Sequence, residues 1–267
     1  MTPLIKDGAM GSWLRAQGYS GWLEPLNRSQ PEVILAVHRA YRAAGAQGLT
    51  TNSFCATLDL QPEAEALAYA AAVLARHVAS EGIVLGSLGP GGRSPQRGDV
   101  SVAQLAEDYR APARGLIMGG VDLLWLETCI DPLQLQAAVH ACQTEGLAAG
   151  ITLPIWGLLA LRDEGHLVGG TPLPEALAQI RTLGLSGIGI NCTDPRWLLP
   201  ALEQLATLGL PLACVPNAGI PVQGQYGIGP EAFAQVFHSL QTQLPLTWVG
   251  GCCGTTPAHI QHLSQFF

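Results

Sequence analysis

Short apolar runs rich in valine, isoleucine and leucine alternate along the chain with longer segments whose apolar residues recur at helical spacing. The short runs predict strands ending near Asp7, Thr51, Ser87, Glu127, Leu161, Asn191, Pro216 and Gly250. The longer segments predict helices over Pro31 to Ala44, Pro62 to Ser80, Val102 to Met118, Pro132 to Thr144, Pro174 to Leu183, Pro195 to Leu208 and Pro230 to Leu240, with a last helix from about Pro257. Proline opens most of these segments, where its missing N–H removes a donor that would be unpaired anyway. Strand five is the least defined, because Leu147 to Leu153 and Ile155 to Leu161 both read as strand with Pro154 between them.

Repeated strand and helix units point to an α/β fold with a parallel sheet. A closed eight-stranded barrel, the (β/α)8 or TIM barrel, is the expected architecture, and a doubly wound open sheet gives the same alternation. In either, chemistry belongs at the carboxyl ends of the strands. Polar residues gather there: Asp7-Gly8, Thr51-Asn52-Ser53, Ser87, Glu127-Thr128, Asn191-Cys192, Pro216-Asn217 and Cys252-Cys253.

The chain has 267 residues, close to the roughly 250 typical of such a barrel, and no linker-like stretch divides it. A single domain over residues 1–267 is expected. With 48% apolar and 12% charged residues, it has the material for a large core. The formal charge is -7, and Lys6 is the only lysine beside twelve arginines. No basic cluster is present to neutralise phosphates, so nucleic acid is not an expected partner. The amino terminus lacks the apolar core of a signal peptide, and the longest apolar stretch, Gly146 to Leu161, falls short of the roughly 20 residues of a spanning helix. Seven cysteines without an export signal fit a reducing, cytoplasmic setting.

Three of those cysteines stand at strand ends. Cys252 and Cys253 follow the run ending at Gly250, and Cys192 follows Gly189-Ile190-Asn191. Neighbouring side chains on a strand face opposite ways, so both members of the pair can meet one metal only if the backbone turns, which Gly250, Gly251 and Gly254 permit. Three thiolates suit zinc and leave its fourth position open, as catalytic zinc sites do. Ordinary buried cysteines or a vicinal disulfide are the alternatives. The Gly89-Pro90-Gly91-Gly92 cluster lacks the lysine and hydroxyl of a phosphate-binding loop and reads as a turn. His259 and His262 read as residues of a polar helix face.

Asp7-Gly8-Ala9-Met10-Gly11, Thr51-Asn52-Ser53-Phe54, Leu126-Glu127-Thr128, Gly189-Ile190-Asn191-Cys192, Pro216-Asn217-Ala218-Gly219 and Gly250-Gly251-Cys252-Cys253-Gly254-Thr255-Thr256-Pro257 occur in order over nearly the whole chain. Together they resemble the homocysteine S-methyltransferase family, which includes stand-alone enzymes and the homocysteine module of cobalamin-dependent methionine synthase. The resemblance implies a homocysteine-binding (β/α)8 barrel over residues 1–267. It also implies that Cys192, Cys252 and Cys253 bind zinc and that homocysteine brings its thiolate as the fourth ligand. Asp7 and Gly8 match positions that hold the amino acid, Glu127 the carboxylate that grips its ammonium, and Asn217 a residue that takes the zinc when homocysteine is absent.

For the methyl donor, the stretch from Leu161 to Leu173 is similar to S-methylmethionine enzymes. Trp22 lies where relatives that use onium donors carry a tryptophan, whose face attracts such cations. S-methylmethionine or S-adenosylmethionine is the expected donor, and methionine the product. Phe54-Cys55 stands where betaine enzymes have a tyrosine. Met10, Leu26-Asn27 and the Pro-Asn-Ala-Gly form look more like the methionine synthase module, so a detached module serving a separate cobalamin protein is the alternative. A zinc- or homocysteine-binding protein without turnover is the alternative from a different class.

Overall fold

The computed structural model describes residues 2–57 and 62–267. In chain order the strands are β1 (Leu4–Ile5), β2 (Gly48–Thr50), β3 (Ile83–Leu88), β4 (Leu123–Cys129), β5 (Ile155–Leu159), β6 (Leu161–Asp163), β7 (His166–Leu167), β8 (Gly187–Asn191), β9 (Leu212–Val215) and β10 (Leu246–Val249). The helices are α1 (Gly11–Ala16), α2 (Leu26–Ser29), α3 (Pro31–Ala43), α4 (Ala64–Ala79), α5 (Val102–Met118), α6 (Pro132–Ala149), α7 (Leu173–Ile180), α8 (Leu198–Ala206), α9 (Pro230–Gln241) and α10 (Pro257–Phe266). Eight strands form one parallel sheet in the order β1-β10-β9-β8-β5-β4-β3-β2. Its edges meet: Gln47 N–H donates to Ile5 O at 2.7 Å, and Asp7 N–H donates to Gly48 O at 2.9 Å. The sheet is thus a TIM barrel rather than an open sheet.

Strand alternation sorts the side chains into two compartments. Ile5, Val84, Leu124, Ile188 and Val249 face outward into the large core under the helices. Leu85, Trp125, Trp156, Leu158, Val215 and Trp248 face inward and fill the barrel. The ring centroid of Trp125 lies 5.6 Å from that of Trp156 and 6.1 Å from that of Trp248, within the range of favourable aromatic pairs. Each large side chain so buried contributes about 1.5–3 kcal/mol relative to exposure. Space for one ring comes from the adjacent strand: Gly187 pairs in register with Trp156, and a Cβ on it would lie 2.4 Å from the Trp156 ring. The tryptophans fill the lower barrel, and the cavity at the carboxyl ends of the strands lies above them.

The ambiguity at strand five resolves in favour of Ile155–Leu159, and no strand covers 147–153. Helix α6 instead runs past Thr144 to Ala149, carrying Leu147 to the surface, and stops only where Gly150 takes the left-handed conformation at φ 68°. Glu145 holds this added turn to α5 by ion pairs with Arg110 (2.6 Å) and Arg114 (2.8 Å). Beyond β5, β6 and β7 pair as a small antiparallel hairpin rather than prolonging the barrel strand. Pro195 opens a 3-10 turn ahead of α8. His262 is exposed, as expected of a polar helix face, but His259 is buried and is bonded to Thr256 and to Ile228 O. It ties the start of α10 to the loop before α9. Among the described residues, no helix is long and apolar enough to cross a membrane.

Candidate metal centre and substrate cavity

A cavity of about 380 Å³ opens at the carboxyl ends of the barrel strands, above the tryptophan layer. Cys192, Cys252 and Cys253 form one wall, and their sulfurs all lie within 4.8 Å of one another. The Cys192 and Cys253 sulfurs are 3.8 Å apart. A tetrahedral zinc with bonds of about 2.3 Å requires sulfur separations of about 3.8 Å, so this trio fits the ion.

The backbone turn that brings the pair together is built by specific contacts. Gly250 N–H donates to Cys214 O, Gly251 N–H to Asp7 O and Cys252 N–H to Pro216 O, so the segment is held by β1 and by the end of β9. Thr255 Oγ donates back to Cys252 O at 2.7 Å and accepts Ala9 N–H at 3.0 Å. Gly254 closes the turn at φ 82°, and the Tyr226 ring occupies the place where a Cβ would stand. Cys192 enters by a different route: its own backbone is left-handed, at φ 51°, a conformation that costs a non-glycine residue energy and is commonest at functional positions.

The three sulfurs share their protons. Hydrogen bonds from Cys192, Cys252 and Tyr226 hold the Cys253 thiol well below its ordinary range, while hydrogen bonding within the trio and burial push Cys252 up. A metal held by Cys192, Cys252 and Cys253 would bind them as thiolates, displacing their protons.

Opposite the thiols, Glu127 ends the interior face of β4. It accepts hydrogen bonds from Ser87 Oγ and, at 3.2 Å, from Asn191 Nδ2. Burial raises its pKa, and the nearby Lys6 charge works against that shift. Asn191 also accepts Thr128 N–H at 2.8 Å and donates to Thr128 Oγ at 3.0 Å, which stabilises a second left-handed residue, Thr128 at φ 60°. Asn191 thus links the carboxylate to the strand that carries Cys192.

The structure places Gly8, Glu127, Trp22 and the three cysteines on the cavity wall. Trp22 stands at the mouth, 51% exposed. The Asp7 side chain is not on that wall. Its carboxylate accepts Thr50 N–H (2.8 Å), Thr50 Oγ (2.7 Å) and a Lys6 ion pair (3.0 Å), which fastens β1 to β2 at the barrel seam. Asn217 is also set back from the wall. Its backbone N–H donates to Thr193 O, and its Oδ1 is buried without a hydrogen-bond partner. Sequence reasoning assigned no site role to Lys6, Ser87, Asn191 or Tyr226. Ser87 and Asn191 were legible as polar strand ends, and Lys6 as the only lysine.

Residues 4–267 match the family described as Homocysteine S-methyltransferase. The chain belongs to the homocysteine S-methyltransferase family. It is 34% identical over 288 aligned positions to the methionine synthase of Mycobacterium tuberculosis, an alignment that covers 98% of this chain and 24% of that protein. The chain therefore spans about a quarter of the length of such relatives. The apo form of the homocysteine methyltransferase MmuM from Escherichia coli superposes with a TM-score of 0.79 at 29% identity, covering 100% of this chain and 97% of that one. Its metallated form gives a TM-score of 0.80 at 28% identity, covering 99% and 96%. Barrel and family thus agree with the fold expected from the strand pattern.

Proposed function

We propose that this chain, as one homocysteine-binding barrel domain, transfers a methyl group from an onium donor to the thiolate of homocysteine, giving methionine, with zinc held by Cys192, Cys252 and Cys253. The observation that carries the reading is the meeting of three thiols with a buried, doubly hydrogen-bonded carboxylate across one cavity of about 380 Å³. When bound, zinc would hold the substrate sulfur as a nucleophilic thiolate at neutral pH.

The remaining work falls to the protein. Glu127 is oriented by Ser87 and Asn191 to accept the ammonium of an amino acid. Gly8 lines the cavity with backbone, its missing Cβ letting Tyr41 and Thr255 pack behind it, and the Asp7 carboxylate acts indirectly by fixing the seam beneath. The buried, unpartnered Asn217 Oδ1 is the acceptor that would approach the thiol centre when no substrate is present. At the mouth, the Trp22 indole offers a π face to a sulfonium without offering it a nucleophile. The sulfur attacks the methyl carbon in line, the carbon–sulfur bond of the donor breaks, and its electron pair leaves on a neutral thioether. No general acid is needed, so alignment of the two substrates supplies the protein's share of the acceleration.

S-methylmethionine and S-adenosylmethionine are the favoured donors. The similarity to mycobacterial methionine synthase supports a second reading, a detached module acting with a separate cobalamin protein. All seven cysteines are free thiols, which supports a cytoplasmic setting. The test is a donor screen on zinc-loaded protein with homocysteine and S-methylmethionine, S-adenosylmethionine, betaine or methylcobalamin. With S-methylmethionine each turnover yields two methionines. Methionine from methylcobalamin alone would favour the detached module, and none from any donor would leave a binding protein.

A further inference from the structure

The cavity floor carries a cation to which the methyl transfer above gives no part. Lys6, the only lysine in the chain, lies just past β1 and is 3% exposed. Alternation along this segment turns Leu4 onto the tryptophan layer and Lys6 onto the cavity wall above it. Its ammonium donates to Asp7 Oδ1 at 3.0 Å, Asp7 O at 3.2 Å and Gly251 O at 3.4 Å. An ammonium has three donors, so none is left to grip a substrate carboxylate. What Lys6 offers the cavity is charge, together with a hold on the carbonyl just before Cys252.

Placing that charge above an apolar layer is unfavourable unless anions offset it. Asp7 does so through its ion pair, with the Glu127 carboxylate beyond it: burial pulls the Lys6 pKa down, and the negative groups around it, Asp7 first, outweigh that. Asp7 already receives two hydrogen bonds from Thr50, so a cation exceeds what that carboxylate alone requires. The thiol centre is the group with a deficit. Three thiolates outweigh one divalent cation, and a homocysteine thiolate adds another negative charge in a site of low polarity. Once methylated, the same sulfur is neutral and gains nothing from a nearby ammonium.

We propose that Lys6 is a specificity-determining positioning residue, whose fixed charge beside Cys252 makes the cavity prefer the anionic sulfur of homocysteine to the neutral sulfur of methionine. The proposal rests on reading the cavity as a homocysteine site. It gives the enzyme a way to hold substrate and release product although the two differ by one methyl group.

The experiment is calorimetric binding of homocysteine and of methionine to the zinc-loaded full chain, in wild type, Lys6→Met and Lys6→Arg, with zinc content measured in parallel. Lys6→Met is expected to weaken homocysteine by about tenfold or more while leaving methionine within about twofold, and Lys6→Arg to restore the preference. Equal weakening of both ligands, no weakening of either, or loss of zinc from Lys6→Met would overturn the proposal in favour of a structural staple. If Lys6→Met does not fold, Lys6→Met combined with Asp7→Asn leaves no lone buried charge and permits the same comparison. Failure of that double variant to fold would also make Lys6 structural. Absence of homocysteine binding in the wild type would remove the reading of the cavity itself, an outcome distinct from all of these.

Discussion

The inside of the barrel is two different materials stacked on one another. Below lie Trp125, Trp156 and Trp248, closely packed and apolar. Above lie Lys6, Asp7, Glu127, Asn191 and three thiols, with left-handed backbone at Thr128 and Cys192. The lower layer is what a stable core prefers. The upper layer holds charges and strained residues that a core would exclude, and it persists because each group is hydrogen-bonded to a neighbouring strand end. The contact between the two is direct, since Cys252 packs against the tryptophan cluster. Stability and chemistry are therefore separable by a few ångströms along the same strands.

That separation can be tested by breaking each layer alone. Cys252→Ala, and likewise Cys192→Ala or Cys253→Ala, should abolish zinc binding and lower methyl transfer by more than about 10³-fold while the zinc-free melting temperature changes little. Zinc analysis with methionine formation checks this, and retained zinc with retained turnover would refute the assignment. Trp125→Ala should do the opposite, costing about 3–5 kcal/mol in urea unfolding with the zinc stoichiometry of the folded fraction preserved.

A third change probes stability in the helical shell around the barrel. His38 on α3 is fully buried, neither ring nitrogen has a partner, and burial lowers its pKa to about 4. The unfolded chain takes up this proton near its ordinary pKa and the folded chain does not until about 4, so U binds more protons in that window. Stability should thus fall by on the order of 3 kcal/mol as pH drops from about 6.5 to 4. Urea titrations across that range should show a shallower fall in His38→Met. The smallest effect is expected within the upper layer: on the proposed role of Glu127 as the group that holds the substrate ammonium, Glu127→Gln should raise the homocysteine KM by about 30-fold with a smaller change in kcat. A fall confined to kcat would contradict that role.

Hydrophobic periodicity carried the barrel, the ends of its strands and the boundaries of most helices, because each depends on which local residues must be buried. It failed at 147–153, where a short apolar run cannot by periodicity be told from the end of a helix, and Leu147-Ala148-Ala149, good helix formers, extend α6 beside the ion pairs of Glu145 with Arg110 and Arg114. The cysteines, Glu127 and the glycines of the final turn were legible because their types are rare in strands unless something uses them.

Other features needed the closed barrel. Whether Asp7 faces a ligand or a neighbouring strand depends on Thr50, 43 residues away, and the contact exists only once the first two strands meet. The bonds from Ser87 and Asn191 to Glu127 likewise span 40 and 64 residues. Lys6 reads in sequence as an ordinary terminal lysine, and only the seam places its charge inside the molecule, against Gly251, 245 residues along the chain. The sequence by itself determined the kind of fold and the identity of the reactive groups, since burial and chemical type are properties of single residues. The tertiary structure decided which group answers which, because the fields and hydrogen bonds of a cavity are set by distances that close only when the last strand meets the first.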